Sequence, residues 1–183
     1  MQQGKFGRLL LSLAIGLVVL IGLGAAHFEA QAEETTIRSY GGLITGADDI
    51  FVAVVAEGDK ATVYICDGIV DKGTVSIAEW FIGAVKDNAI DIIGPTGNRV
   101  EVALTEATAT GKFTFTDGAV KEFVIELLPE SAGLFRSEFA IGDHKYVGGW
   151  LVLPDGSVRG AVRFVETGEL VPASFSEFHN PSN

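Results

Sequence analysis

Cysteine occurs once in this chain, at Cys66, so no disulfide can close within a monomer and the fold must be held by its own core. Histidine is nearly as scarce. His27, His144 and His179 stand far apart with no cysteine cluster, so no metal site is expected. The acidic loops at 48–49 and 67–71 lack the ligand spacing of a calcium loop and read as solvated surface. Basic residues are few, 13 Lys and Arg against 24 Asp and Glu, for a net charge of −11. That balance argues against nucleic acid and anionic lipid as partners. There is no G-x-S-x-G elbow, no P-loop and no dinucleotide fingerprint, and no cofactor is expected.

What is present begins with a segment separate from the fold. Lys5 and Arg8 precede an uncharged apolar run from Leu9 to Ala26, and Ala30-Gln31-Ala32 ends the stretch in a small-x-small pattern. These are the parts of a secretory signal peptide cleaved after Ala32. The apolar run is also just long enough to span a bilayer, so residues 9–26 as an uncleaved membrane anchor is the alternative. Either way the remainder is exported, as a secreted, periplasmic or cell-surface domain, or as one held outside a single-pass anchor. Losing residues 1–32 removes Lys5, Arg8 and Glu29, a net +1, which leaves −12 on 151 residues. That length suits one domain with a substantial core.

Residues 33–49 read as a polar lead-in with one short strand near Ile37 to Tyr40, and residues 50–178 as a single β-domain. The domain is founded on Ile50 to Gly68, two β-branched and aromatic runs joined at Gly58-Asp59. The first run is apolar at nearly every position, which predicts a strand covered on both faces. Ile77, Trp80, Phe81, Ala84 and Val85 then fall at helical spacing behind a Ser76-x-x-Glu79 capping box, predicting a short helix from Ser76 to about Val85. Gly83 within it keeps a strand through Trp80 as the alternative. From Asn88 onward the period is two, with turns at 95–98, 117–118 and 154–157. The expectation is a mainly β fold, an antiparallel meander of about nine to eleven strands closed as a barrel or sandwich, with one short helix and an N-terminal signal helix. Outward positions carry Lys, Arg, Glu and Thr, unlike a transmembrane barrel. Residues 179–183 read as a frayed tail.

Few residues invite a chemical role. Cys66 lies beside Asp67, which disfavours a thiolate, and shares a strand face with Tyr64, so a small buried thiol is expected. Asp143 and His144 are adjacent and cannot orient one another as a catalytic pair on a strand. Carboxylates are numerous, but nothing marks two of them as a pair. Tyr64, Trp80, Tyr146 and Trp150 are the candidate ligand-binding residues, because small barrels bind ligands in aromatic mouths; the competing reading makes them core filling.

Val63-Tyr64-Ile65-Cys66-Asp67-Gly68, Glu79-Trp80-Phe81-Ile82-Gly83, Ala132-Gly133-Leu134-Phe135-Arg136 and Gly148-Gly149-Trp150-Leu151-Val152-Leu153-Pro154-Asp155-Gly156 together resemble a set of exported bacterial proteins, common in actinobacteria, that have no assigned activity. The resemblance implies export and a β-rich domain, and transfers no site. The function expected is that of an exported non-catalytic β-domain binding a small ligand, peptide or cell-envelope component. The alternative is an extracellular hydrolase using a carboxylate pair.

Overall fold

A computed structural model describes residues 36–173. The signal segment or anchor at 1–32 and the tail at 179–183 lie outside the described residues. Within them the chain is mainly β, with twelve antiparallel strands and one three-residue 3₁₀ turn, Val70–Lys72. No helix among these residues is long and apolar enough to cross a membrane. Eight strands form one sheet: β1 (Ile37–Ile44), β2 (Ala47–Glu57), β3 (Lys60–Cys66), β4 (Ala78–Ala84), β5 (Ala89–Ile93), β6 (Arg99–Leu104), β7 (Thr108–Thr114) and β8 (Val120–Leu127). Their order, β4-β3-β2-β1-β8-β7-β6-β5, curls into a nearly closed barrel. The other four, β9 (Gly133–Ile141), β10 (His144–Val152), β11 (Val158–Phe164) and β12 (Leu170–Pro172), make a smaller meander that packs on the outside of β2 and β3.

The β2–β3 hairpin sits between two cores, which is why its first arm shows no alternation. Val52, Val54 and Ala56 of β2, with Ala61, Val63 and Ile65 of β3, face the barrel interior. Phe51 and Ala53, with Tyr64 and Cys66, face the smaller sheet and meet Leu151 and Ala161 there. Each face therefore loses its apolar area to a different partner. The barrel interior is filled rather than hollow. Tyr40, Phe81, Phe113, Phe123, Val100 and Ile125 are all essentially inaccessible, and Phe81 meets Phe113 edge-on at 6.0 Å. Each such side chain contributes about 1.5–3 kcal/mol by leaving water.

The helix expected from Ser76 to about Val85 is not formed; that segment carries β4, paired along its whole length with β3 from Lys60↔Ala84 to Cys66↔Ala78. The capping box is dissolved by stronger partners. Ser76 gives its N–H and hydroxyl to the Asp67 carboxylate. Glu79 turns into the barrel and accepts bonds from the Thr96 N–H (3.2 Å), the Thr96 hydroxyl (2.7 Å) and the Asn98 amide (2.7 Å). The helical spacing is coincidental: on the strand Glu79 and Phe81 point inward and are buried, Trp80 points outward against the smaller sheet, and Ile82 is exposed. The twelve strands are one more than the upper end of the expected nine to eleven; β4 and the short β12 are the two that the sequence pattern does not mark as strands.

Glu79 also explains how the barrel closes. No ladder joins β4 to β5 beyond the bridge Lys86↔Ala89 at their connecting turn. The buried carboxylate instead ties β4 to the β5–β6 turn, and three hydrogen bonds make its burial tolerable. Elsewhere along the seam the Ile92 side chain lies over Gly83, where a Cβ would stand 2.7 Å from it.

Candidate functional site

The four aromatic residues expected to line one cavity fall into two groups on opposite faces of the smaller sheet. Along β10, Tyr146, Gly148 and Trp150 point away from the barrel, while Val147, Gly149 and Leu151 point toward it. Tyr146 stacks on Phe139 at 5.2 Å and meets Phe164 edge-on at 4.7 Å. Trp150 lies flat along its own sheet over Gly148 and Gly160, in a cluster with Val162 and Ala173.

Tyr64 and Trp80 come from the barrel side, on the adjacent strands β3 and β4, where they are cross-strand partners. Their ring centroids are 4.3 Å apart. Gly149 of β10 makes this approach possible, since a Cβ there would stand 2.6 Å from Tyr64 Cζ and 2.7 Å from Trp80 Cζ2. The two rings form one wall of a small cleft between the sheets, about 190 Å³, completed by Ala78, Pro95, Arg136, Val147, Ala161 and Arg163. Arg136 sets its guanidinium 5.5 Å from the Trp80 ring centroid, within cation–π range.

Tyr64 is fully buried, and its hydroxyl makes no hydrogen bond of normal geometry. Burial, then the neighbouring Cys66 thiol, hold the phenol well above its ordinary value, so it stays a neutral donor. Cys66 is likewise buried, and burial pushes its thiol up to about 11 although contacts from Tyr64 and the Gly68 N–H pull the other way. This is the inert core thiol expected from the sequence.

Nothing in the sequence marks Arg136 and Arg163 as members of one site. The register gives them a shared place: Arg136 pairs across to Gly149, and Arg163 to Val147, so both flank the same stretch of β10 on its barrel-facing side. Arg136 pairs with Glu138 at 2.5 Å. Among the described residues no carboxylate pairs with Arg163.

Other chemistry is not assembled. Asp143 and His144 are exposed at the β9–β10 turn. Among the described residues no three His, Cys, Asp or Glu side chains converge as a metal site. Asp91 and Glu101 face each other across β5 and β6 on the outer barrel wall, but both engage Arg99, and its hydrogen bond holds the Asp91 carboxyl below the usual range. The chain matches no known family profile, no curated protein and no solved structure.

Proposed function

We propose that this protein is an exported, non-catalytic binding domain, and that its recognition site is the cleft between the barrel and the smaller sheet at Tyr64 and Trp80. The observation that carries the reading is the filled barrel: its interior is packed with buried aromatic and aliphatic side chains, and aromatic and cationic side chains converge on a concavity outside it. At about 190 Å³ the cleft falls below the roughly 300–1,000 Å³ of drug-sized pockets, so it takes one end of a larger molecule or a small compound. The N-terminal segment, with its basic start, apolar run and Ala-x-Ala ending, supports export to the cell envelope or beyond.

The hydrolase reading asks for a proton donor beside a second carboxylate. The adjacent pair Asp91 and Glu101 is bound by Arg99 with Asp91 kept ionised, which disfavours it as general acid. A thermal-shift screen of small molecules, peptides and envelope polymers on the exported protein tests the binding reading. At least one ligand is expected to raise the melting temperature, with the gain lost in Trp80→Ala and retained in Tyr146→Ala. No stabilising ligand, together with turnover in a hydrolytic substrate screen, would contradict it.

A further inference from the structure

We propose that the cleft takes a carboxylate, held by Arg163 and Arg136 with the Tyr64 hydroxyl as the third donor, and that the apolar body attached to it lies beside Trp80 against the apolar wall of the cleft. This rests on reading the cleft as the binding site. Three features of the structure converge on that ligand chemistry.

The first is charge. The molecule carries −11, yet the barrel-facing side of the smaller sheet presents two guanidinium groups to the cleft beside the carboxylate of Glu138, while the Asp67 carboxylate lies on the Cys66 side of Tyr64. The Arg136–Glu138 pair is substantially exposed, so it is weak and leaves the arginine able to turn to a second acceptor. Arg163 has no ion-pair partner among the described residues, although it lines a cavity wall. A planar guanidinium fits a carboxylate with two parallel hydrogen bonds, which a hydroxyl or an amide oxygen cannot match.

The second feature is the Tyr64 hydroxyl. Tyr64 lines the same cleft and its O–H is fully buried; the Cys66 thiol and the Ala161 backbone adjoin it without a hydrogen bond of normal geometry, and it remains protonated across the physiological range. A buried donor of this kind costs stability until an acceptor meets it. The third feature is size. A volume of about 190 Å³ is the share of roughly six waters at about 30 Å³ each, enough for a carboxylate and a few carbons. Ala78, Pro95, Val147 and Ala161 supply the apolar surface for those carbons.

Such a group has two sources, the free C-terminus of a peptide and a uronic-acid ring, and the test separates them. Binding to the exported protein is measured by calorimetry with N-acetylalanine against N-acetylalaninamide, and with glucuronate against glucose. Expected is binding of at least one carboxylate, with its neutral counterpart weaker by about tenfold or more. The stronger arm names the source. Arg163→Gln should weaken the bound carboxylate about tenfold, and Tyr64→Phe severalfold, while both variants keep the wild-type melting temperature to within a few degrees. Equal binding of the neutral counterparts, or unchanged carboxylate affinity in Arg163→Gln, overturns the carboxylate while leaving the cleft as a site. Binding of neither carboxylate, while a ligand from the wider screen still depends on Trp80, also overturns it. Ligand binding that is indifferent to Trp80→Ala removes the cleft reading itself.

Discussion

On the barrel-facing side of the smaller sheet, Tyr64 and Trp80 lie 4.3 Å apart beneath an arginine, with a buried hydroxyl that lacks a normal hydrogen bond. On its other side Phe139, Tyr146 and Phe164 pack ring on ring, and Trp150 lies flat over two glycines. The residue types are nearly the same, and their separation is one position along β10, since Gly149 faces the first group and Gly148 the second. The difference teaches that an aromatic residue becomes a candidate for recognition through what surrounds it. The outer rings pack on one another within one sheet, whereas the inner pair stands with two arginines around a cavity.

The largest effect should come from closing the inner space. Gly149→Ala places a methyl 2.6–2.7 Å from Tyr64 and Trp80, which are held between two sheets, and should cost about 2–3 kcal/mol in urea unfolding. Gly148→Ala brings a methyl closer still, to 2.0 Å from Trp150 Cη2, but against a ring packed within the smaller sheet alone instead of between two sheets, and should cost less, about 1–2 kcal/mol. A reversed order would mean that the outer group is the tighter one.

The inner side is also sensitive to alkali. The folded Cys66 thiol is raised from 9.0 to about 11, so the unfolded chain loses its proton first as pH rises. Stability from this group is therefore complete below pH 9 and is lost between about pH 9 and 11, by at most about 2.7 kcal/mol at 1.36 kcal/mol per unit. Cys66→Ala should flatten that part of the curve until the Tyr64 phenol, also raised, begins to ionise in the unfolded chain. An unchanged curve in Cys66→Ala would show that the thiol is not buried in solution.

The smallest effect on stability should be that of Tyr64→Phe. Removing a buried hydroxyl that lacks a normal hydrogen bond should leave the unfolding free energy within about 0.5 kcal/mol of wild type, or raise it slightly. A loss of 1 kcal/mol or more would assign the hydroxyl to the core and weaken its role as a ligand donor.

The β2–β3 hairpin could be read from the sequence because a run buried on both faces has no polar positions to confuse it. The turns at 95–98, 117–118 and 154–157 were equally plain, since Gly97, Gly118 and Gly156 adopt the positive φ that glycine favours. β4 reads first as a helix, with a strand through Trp80 as the alternative, and the strand is what forms. Chance places its apolar residues at helical spacing, and a carboxylate at one of its two buried positions, Glu79 beside Phe81, disguises the alternation. β1 was seen only as a short strand near Ile37 to Tyr40, because Gly41-Gly42 masks a strand whose glycines give room to Leu128, Leu151 and Ile125. Half of the candidate site was legible. Tyr64 and Trp80 were named as aromatics, but their arginine partners depend on register across three strands, which no local pattern encodes. The split from Tyr146 and Trp150 depends on the smaller sheet packing beside the barrel instead of continuing it.

The two tryptophans, one in each group, allow the most direct test. Their indole N–H resonances in a ¹H–¹⁵N spectrum report the cleft and the outer face separately during titration with N-acetylalanine or glucuronate. The account predicts that the Trp80 resonance shifts saturably together with the Arg136 and Arg163 side-chain signals, while the Trp150 resonance stays in place. A saturable shift at Trp150 with Trp80 unmoved would contradict it.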